Sequence, residues 1–368
     1  MPNILIVADT IRSPELRREI PVAVPDPLVY AELNGSRYVF VSSLEIPRLA
    51  RLADLEIVSF EELGQDELAD RGTPWVEFDR EMALRACERI GLREASVPNG
   101  FPLGVAEHLG ERGIVLTSDY RLFEDRRRSK TESELAGIRR AQRGAEAAMD
   151  AIRARLREGL PASCEELRLE ATRAFSDSGV TVPDLVIVSH GAQTAVGHEP
   201  GSGQIEAGEP IVVDLYPQDP ESGCFADMTR TFCVGEPSDE LARYHALAEE
   251  ALEAAVAAIR PGVTGREVYG VAAGIFEAAG YPTDRTKPKG AVLEDGFFHA
   301  LGHGVGLEVH EPPLLGRSGL EELVPGDVLA VEPGCYRKGF GGCRLEDLVL
   351  VTEDGREVIT GHPYDLAP

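Results

Sequence analysis

No stretch of this 368-residue sequence approaches the roughly 18 consecutive apolar residues that a membrane span needs. Its start, MPNILIVADTIRSPELRREI, lacks the basic-then-apolar layout of a signal peptide and reads directly as a strand, so the expected location is cytoplasmic. Positive charge is scarce. Lys and Arg number 37 against 63 Asp and Glu, a net charge of −26, and such a chain repels phosphate backbones, so no nucleic-acid partner is expected. The one dense basic run, DRRRSK at 125–130, reads as a solvated linker or a helix entrance. The six cysteines (87, 164, 224, 233, 335, 343) include no C-x-x-C pair, which excludes a zinc knuckle and a thioredoxin-like site. They read as small buried hydrophobes. H-E-x-x-H, G-x-G-x-x-G and the D-x-[DN]-x-[DN]-G calcium loop are also missing.

What is present suggests two domains, as the length does. Over residues 1–128 strand and helix patterns alternate, an α/β arrangement. NILIVAD (3–9) is a short apolar strand, and PLVYAELNGSRYVFVSS (27–43) is a hairpin turning at Asn34-Gly35. LEIPRLARLA, FEELGQDELAD and FDREMALRACERIGL have helical spacing, and GIVLTSD (113–119) is a further strand. From 129 to 368 the pattern changes. A long amphipathic helix over 131–160 starts at a capping box of Thr131 and Glu134 and stops at Gly159 and Pro161. A second helix (163–179), a strand-like DLVIVSHG (184–191) and helices at 238–259 and 264–280 follow.

Inside this second region AGEPIVVDLYP (207–217) echoes PGDVLAVEPGC (325–335). Each places a carboxylate six residues after a glycine, Asp214 after Gly208 and Glu332 after Gly326. A second acid-bearing strand follows each, CFADMTRTFCVG with Asp227 and CRLEDLVLVTEDG with Glu346 and Asp347, which implies a duplicated α+β unit. Alternation puts Asp227, Thr229 and Thr231 on one strand face, and Arg344 and Glu346 together opposite Asp347. A carboxylate entering an apolar strand is costly unless paired or metal-bound. Four in one core require a cation. Four carboxylates with one imidazole suit a pair of divalent ions, manganese, cobalt, zinc or iron. Imidazoles are concentrated in FFHALGHGVGLEVHEPP (297–313), which holds three of the eight histidines, with glycines around the middle one.

These segments resemble the pita-bread metallopeptidases, the family of Xaa-Pro aminopeptidase (aminopeptidase P), prolidase and methionine aminopeptidase. The resemblance covers 129–368, and the junction RSKTESELAGIRRAQ with an α/β domain in front is similar to the aminopeptidase P and prolidase branch. It implies five metal ligands, Asp214, Asp227, His303, Glu332 and Glu346, and two divalent ions, with manganese the first choice. It implies further that His310 stabilises the tetrahedral intermediate, that His299 and His198 lie by the substrate, and that Glu332 moves the water's proton. Gly302 and Gly304 would allow close backbone approach at His303, and Arg344 would orient the ligand carboxylates. His108, His190, His245 and His362 fall outside the pattern. The implied reaction is hydrolysis of the N-terminal peptide bond of Xaa-Pro peptides by a hydroxide held between the two ions. A prolidase restricted to Xaa-Pro dipeptides, a lyase on this fold, and a peptide-binding module without turnover are the alternatives. The front domain, creatinase-N-like, would serve structure and formation of a homodimer or higher oligomer. DLYPQDPESGCFAD, with Pro217 and Pro220, makes the connection from Asp214 to Asp227 longer than in many relatives and leaves substrate choice open.

Overall fold

The computed structural model describes residues 2–182 and 186–368. They form two compact units, Met1–Arg127 and Arg128–Pro368. Asp184 and Leu185, at the start of the strand expected over 184–191, lie outside the described residues. No helix among the described residues is long and apolar enough to cross a membrane.

The first unit is a six-stranded mixed sheet with helices on both faces. Its strands are β1 (Ile4–Ala8), β2 (Leu28–Leu33), β3 (Ser36–Val41), β4 (Glu56–Ser59), β5 (Glu94–Val97) and β6 (Val115–Ser118), in the order β4-β3-β2-β1-β5-β6. Both faces are covered, so β1 is apolar throughout: Leu5 and Val7 enter one core, Ile4 and Ile6 the other. The β2–β3 turn is made by Asn34 and Gly35, both at positive φ. Helices α1 (Pro14–Glu19), α2 (Ile46–Leu49), α3 (Gln65–Asp70), α4 (Trp75–Ile90), α5 (Leu103–Glu111) and α6 (Tyr120–Arg128) complete it. Two of the segments with helical spacing fold only in part. In FEELGQDELAD the helix begins after Gly64, which adopts the left-handed conformation at φ +83°, and in LEIPRLARLA it lasts a single turn beginning at Ile46-Pro47.

The basic run 125–130 is not a solvated linker. It closes α6, and its cations turn inward: Arg126 pairs with Glu32, Arg128 with the fully buried Asp327, and Lys130 with Glu311 at 2.7 Å. The charge pattern suggested a wet surface because the acids that neutralise it are up to 199 residues away in the chain.

The second unit repeats one plan. In its first half, helices α7 (Glu132–Arg157) and α8 (Cys164–Asp177) pack on the antiparallel strands β7 (Ile187–His190), β8 (Ile211–Leu215) and β9 (Met228–Phe232). In its second half, α9 (Asp239–Ala258) and α10 (Gly265–Ala278) pack on a five-stranded sheet. The strands of this half are β10 (Asp295–Gly296), β11 (Gly302–Gly304), β12 (Glu311–Leu315), β13 (Val328–Val331), β14 (Gly334–Arg337), β15 (Gly341–Arg344), β16 (Asp347–Val351) and β17 (Arg356–Val358). The five-stranded order is β12-β11-β13-β16-β17, and β10-β14-β15 form a small third sheet. Thus β7-β8-β9 corresponds to β11-β13-β16. The capping box expected at Thr131 is present, and Ser163 and Thr264 open α8 and α10 with reciprocal boxes of the same kind. All six cysteines are buried and unbridged.

Candidate metal centre

Asp214 occupies the middle strand of the first half, but the other three acids do not sit within strands. Asp227 immediately precedes β9, Glu332 immediately follows β13, and Glu346 immediately precedes β16. At a strand end the backbone leaves the pleat, so these side chains converge instead of alternating. The duplication brings them together, since Asp227 and Glu346 precede corresponding strands, while Asp214 lies in one middle strand and Glu332 just past the end of the other.

All five residues line one cavity of about 500 Å³, together with Ile187, His198, Pro200, Tyr216, Val309, His310 and Arg344. Asp227, His303 and Glu346 each offer a ligand atom within 4.8 Å of the others. His303 Nε2 is 3.7 Å from Glu332 Oε1 and 3.9 Å from Asp227 Oδ2. Its Nδ1 donates to the Gly304 carbonyl at 3.1 Å, which leaves the Nε2 lone pair facing the acids. Burial pushes the His303 imidazole down to about 4, so it is neutral, as a ligand must be. The approach that places His303 depends on its neighbours. A Cβ on Gly302 would stand 1.9 Å from the Ala330 carbonyl oxygen, and one on Gly304 2.3 Å from that of Pro312.

The carboxylates press on one another. Burial first, and then Glu346 and Asp214, hold the Asp227 carboxyl well above the ordinary range; burial and then Asp214 and Glu332 do the same to Glu346. Burial likewise pushes Glu332 up to about 7. Arg344 offsets part of this, its Nη2 lying 2.6 Å from Asp214 Oδ2 and its Nε 3.9 Å from Glu332 Oε2. Thr229 Oγ1 donates to Glu346 Oε2 at 2.7 Å and accepts from Arg344 Nε at 3.2 Å, fixing the spacing between that acid and the guanidinium. Among the described residues, buried Oδ1 atoms of Asp214 and Asp227 have no hydrogen-bond partner. Buried carboxylate oxygens without donors, a neutral imidazole lone pair and an excess of negative charge fit divalent cations.

The remaining histidines separate. The His310 ring meets His303 edge-on at 4.2 Å, and burial followed by the proximity of His198 lowers its pKa. His198 is exposed on the loop after β7 and lines the cavity beside Pro200. His299 is not among the described residues of the wall. Its Nδ1 is bonded to the Ala300 carbonyl at 2.6 Å and its Nε2 to the Tyr336 hydroxyl at 3.0 Å. The long connection between Asp214 and Asp227 packs on α7, where Asp219 takes two 2.9 Å bonds from Arg140 and Ser222 fills the space above Gly137. Only Tyr216 of that connection reaches the cavity wall, among the described residues.

Several residues of the site were not found by reading the sequence. Ile187 pairs directly with Asp214 across β7 and β8, and Asp214 with Thr229 across β8 and β9, so the three side chains form one row. Tyr336 and the apolar wall of Ile187, Tyr216 and Val309 carry no motif. Arg230 does: an arginine inside the apolar strand MTRTF is the same kind of signal as Asp214 inside IVVDL. It is fully buried and donates to the carbonyls of Thr229, Glu346, His362 and Pro363 and to Asp347 Oδ1.

Residues 136–353 match the model of metallopeptidase family M24. The chain belongs to metallopeptidase family M24. A relative described as "Probable dipeptidase PepE" from Mycobacterium tuberculosis is 32% identical over 326 residues, 86% of this chain and 81% of that one. The Xaa-Pro dipeptidase of Pyrococcus horikoshii is 30% identical over 279 residues, 76% of this chain and 74% of that one. Among solved structures, the Xaa-Pro dipeptidase from Bacillus anthracis superposes with a TM-score of 0.81 at 27% identity, covering 100% of this chain and 94% of that one. The duplicated unit of this M24 protein is the pita-bread fold.

Proposed function

We propose that this M24 metallopeptidase hydrolyses the N-terminal peptide bond of peptides with proline in second position. The observation that carries the reading is the buried cluster of Asp227, His303 and Glu346 with a free imidazole lone pair turned into it. Asp214, Asp227, His303, Glu332 and Glu346 are the proposed ligands of two divalent ions, and an oxygen-rich set with one imidazole suits manganese. Bound there, the ions would supply a water of lowered pKa and would polarise the scissile carbonyl.

The chain's own groups supply the rest. Glu332, on the cavity wall beside His303, is placed to take a proton from water and to return it to the departing nitrogen. His310 reaches the cavity as a neutral imidazole and offers an N–H to the developing oxyanion. His198 stands on the opposite loop to hold the substrate. Arg344 holds Asp214 in place through its 2.6 Å bond, and His299 acts on the site through Tyr336, not by direct contact. Ile187, Pro200, Tyr216 and Val309 form the apolar wall against which the substrate's side chains pack.

A second reading is a strict Xaa-Pro dipeptidase. The names of the relatives at 30% identity or above favour it. The test is metal analysis of the purified protein followed by a mass-spectrometric screen of Xaa-Pro dipeptides, Xaa-Pro tripeptides and Xaa-Ala controls with manganese, cobalt or zinc. Cleavage of Xaa-Pro tripeptides, abolished in Asp227→Ala, supports the main reading. Cleavage confined to dipeptides transfers it to the second. Metal binding without hydrolysis of any peptide overturns both in favour of a lyase or a binding module.

A further inference from the structure

His190, at the end of β7, has two contacts of the same kind. Its Nδ1 lies 2.7 Å from Glu209 Oε2 and its Nε2 3.1 Å from the Ser202 carbonyl oxygen. Both partners are acceptors. A neutral imidazole has one N–H and can satisfy only one of them, so the full arrangement requires the imidazolium. The ring is 13% exposed and the Glu209 side chain 30%, so the imidazole is the more sheltered partner.

The Ser202 carbonyl belongs to the loop that carries His198 and Pro200 into the cavity wall. That loop is strapped from several sides. Gln193 Nε2 donates to the same Ser202 oxygen at 2.9 Å, Arg168 on α8 donates to the carbonyls of Pro200 and Gly201, and the Gly203 amide donates to Glu165. Gly201, at φ +79°, lies so close to β7 that a Cβ would stand 2.0 Å from the Val188 carbonyl oxygen. The charged groups facing this end of β7 are therefore Glu209 from the turn before β8, Glu165 and Arg168 from α8, and Glu199 from the loop itself, whose carboxylate accepts the Gly201 amide. Of these, Glu209 is the one that touches the imidazole and so makes the strap dependent on charge.

We infer that the His190–Glu209 ion pair is a positioning device that holds the His198 loop against the active site, and that loss of the His190 proton releases it. The inference rests on the reading of His198 as an active-site residue, but the loop can be followed without substrate. The test uses the full-length, metal-loaded protein and its Glu209→Gln and His190→Gln variants. Hydrogen exchange of the Gly201, Ser202 and Gly203 amides is measured against pH, and the His190 ring is titrated by NMR. In the wild type these amides should exchange about 10-fold faster once His190 is deprotonated, beyond the intrinsic pH dependence of exchange. In both variants they should be fast throughout, with unchanged metal content. With Leu-Pro and Leu-Pro-Gly, kcat/KM should fall about 10-fold in the variants, the scale of one lost charge-assisted hydrogen bond. The alkaline limb that follows His190 should disappear with it.

Wild-type protection of the loop in Glu209→Gln would overturn the inference, as would a neutral His190 ring at a pH where the loop is fully protected. If the exchange result holds while neither peptide is cleaved by the wild type, the substrate assignment fails and the strap stands.

Discussion

Removing the Arg230 guanidinium should be the most damaging single change to the half of the site that carries Glu346. Arg230 lies on β9 of the first half and reaches residues of the second. Its Nη1 donates to the Glu346 carbonyl at 2.7 Å, its Nη2 to Asp347 Oδ1 at 2.9 Å and to the His362 carbonyl at 2.6 Å, and its Nε to the Pro363 carbonyl at 2.9 Å. The guanidinium also lies 4.6 Å from the centre of the Tyr364 ring. Arg230 and Asp347 side chains are each 1% exposed, so water cannot replace what is lost. Breaking a buried pair by deleting one partner costs about 3–5 kcal/mol, because the other charge stays buried alone. Arg230→Met, which keeps much of the volume, is predicted to lose that amount at pH 8 in urea denaturation followed by circular dichroism.

The pH dependence has a definite sign. Burial already raises the Asp347 carboxyl pKa, with Arg230 opposing the rise. In Arg230→Met the opposition is gone and the folded-state pKa climbs further above the unfolded value. A group raised in the folded state contributes its stability below the unfolded pKa and loses it as pH rises through the folded one. The deficit of Arg230→Met should therefore be smaller at pH 5 than at pH 8, and Asp347→Asn added to it should recover part of the loss at pH 8. A loss under about 1 kcal/mol, the range of exposed pairs, or a deficit that grows on acidification, would refute the reasoning.

Three further outcomes follow from the site. In the metal-free protein Asp227, Glu332 and Glu346 are all raised, so their contribution is complete below about pH 4, the ordinary carboxylate value, and is lost as pH rises through the folded values. Metal-free protein should melt lower at pH 8 than at pH 6, and manganese, which displaces those protons, should bind more tightly at pH 8 by calorimetry; equal affinity at both sinks this account. Ile187→Asp, placing a charge beside Asp214, should lower kcat/KM for Leu-Pro about 10- to 100-fold, the worth of one buried aliphatic side chain, and less for Lys-Pro; equal losses would remove Ile187 from the substrate wall. Gly304→Ala must push the Pro312 carbonyl away, which should cost about 1–3 kcal/mol and weaken manganese binding, whereas an unchanged melt and affinity would show that the hairpin bearing His303 yields freely.

The sequence revealed most where one residue contradicts its surroundings. An aspartate after Ile-Val-Val cannot be buried without a counter-charge, and a repeat of that conflict at Glu332 exposed the duplication. The capping box at Thr131 and the Asn34-Gly35 turn were legible for the same reason, since each is a local arrangement that few other conformations satisfy. What stayed hidden depended on distance. The inward turn of Arg126, Arg128 and Lys130 needs acids from remote segments, and alternation along FADMTRTF or CRLEDLVLV says nothing of where a strand stops. Placing Asp227 and Glu346 just outside β9 and β16 is what turns them toward His303, and that comes from sheet pairing, not from local preference. Arg230 could have been singled out by the rule applied to Asp214, a charge inside an apolar strand; its partners, residues 346, 347, 362 and 363, could not.

Charge balance ties these pieces to the number of ions. The cavity holds four carboxylates and one guanidinium, which leave three negative charges when all are ionised. Without a cation the protein relieves this only by keeping protons on the acids, which is why burial and mutual repulsion raise Asp227, Glu332 and Glu346 together. One divalent ion would still leave the cavity negative and opposed to a developing oxyanion. Two would leave it with a single positive charge, the sign that attracts one. Arg344 therefore does more than orient Asp214. Were it absent, two ions would only neutralise the carboxylates, and the cavity would lose the excess charge that favours the transition state over the bound peptide.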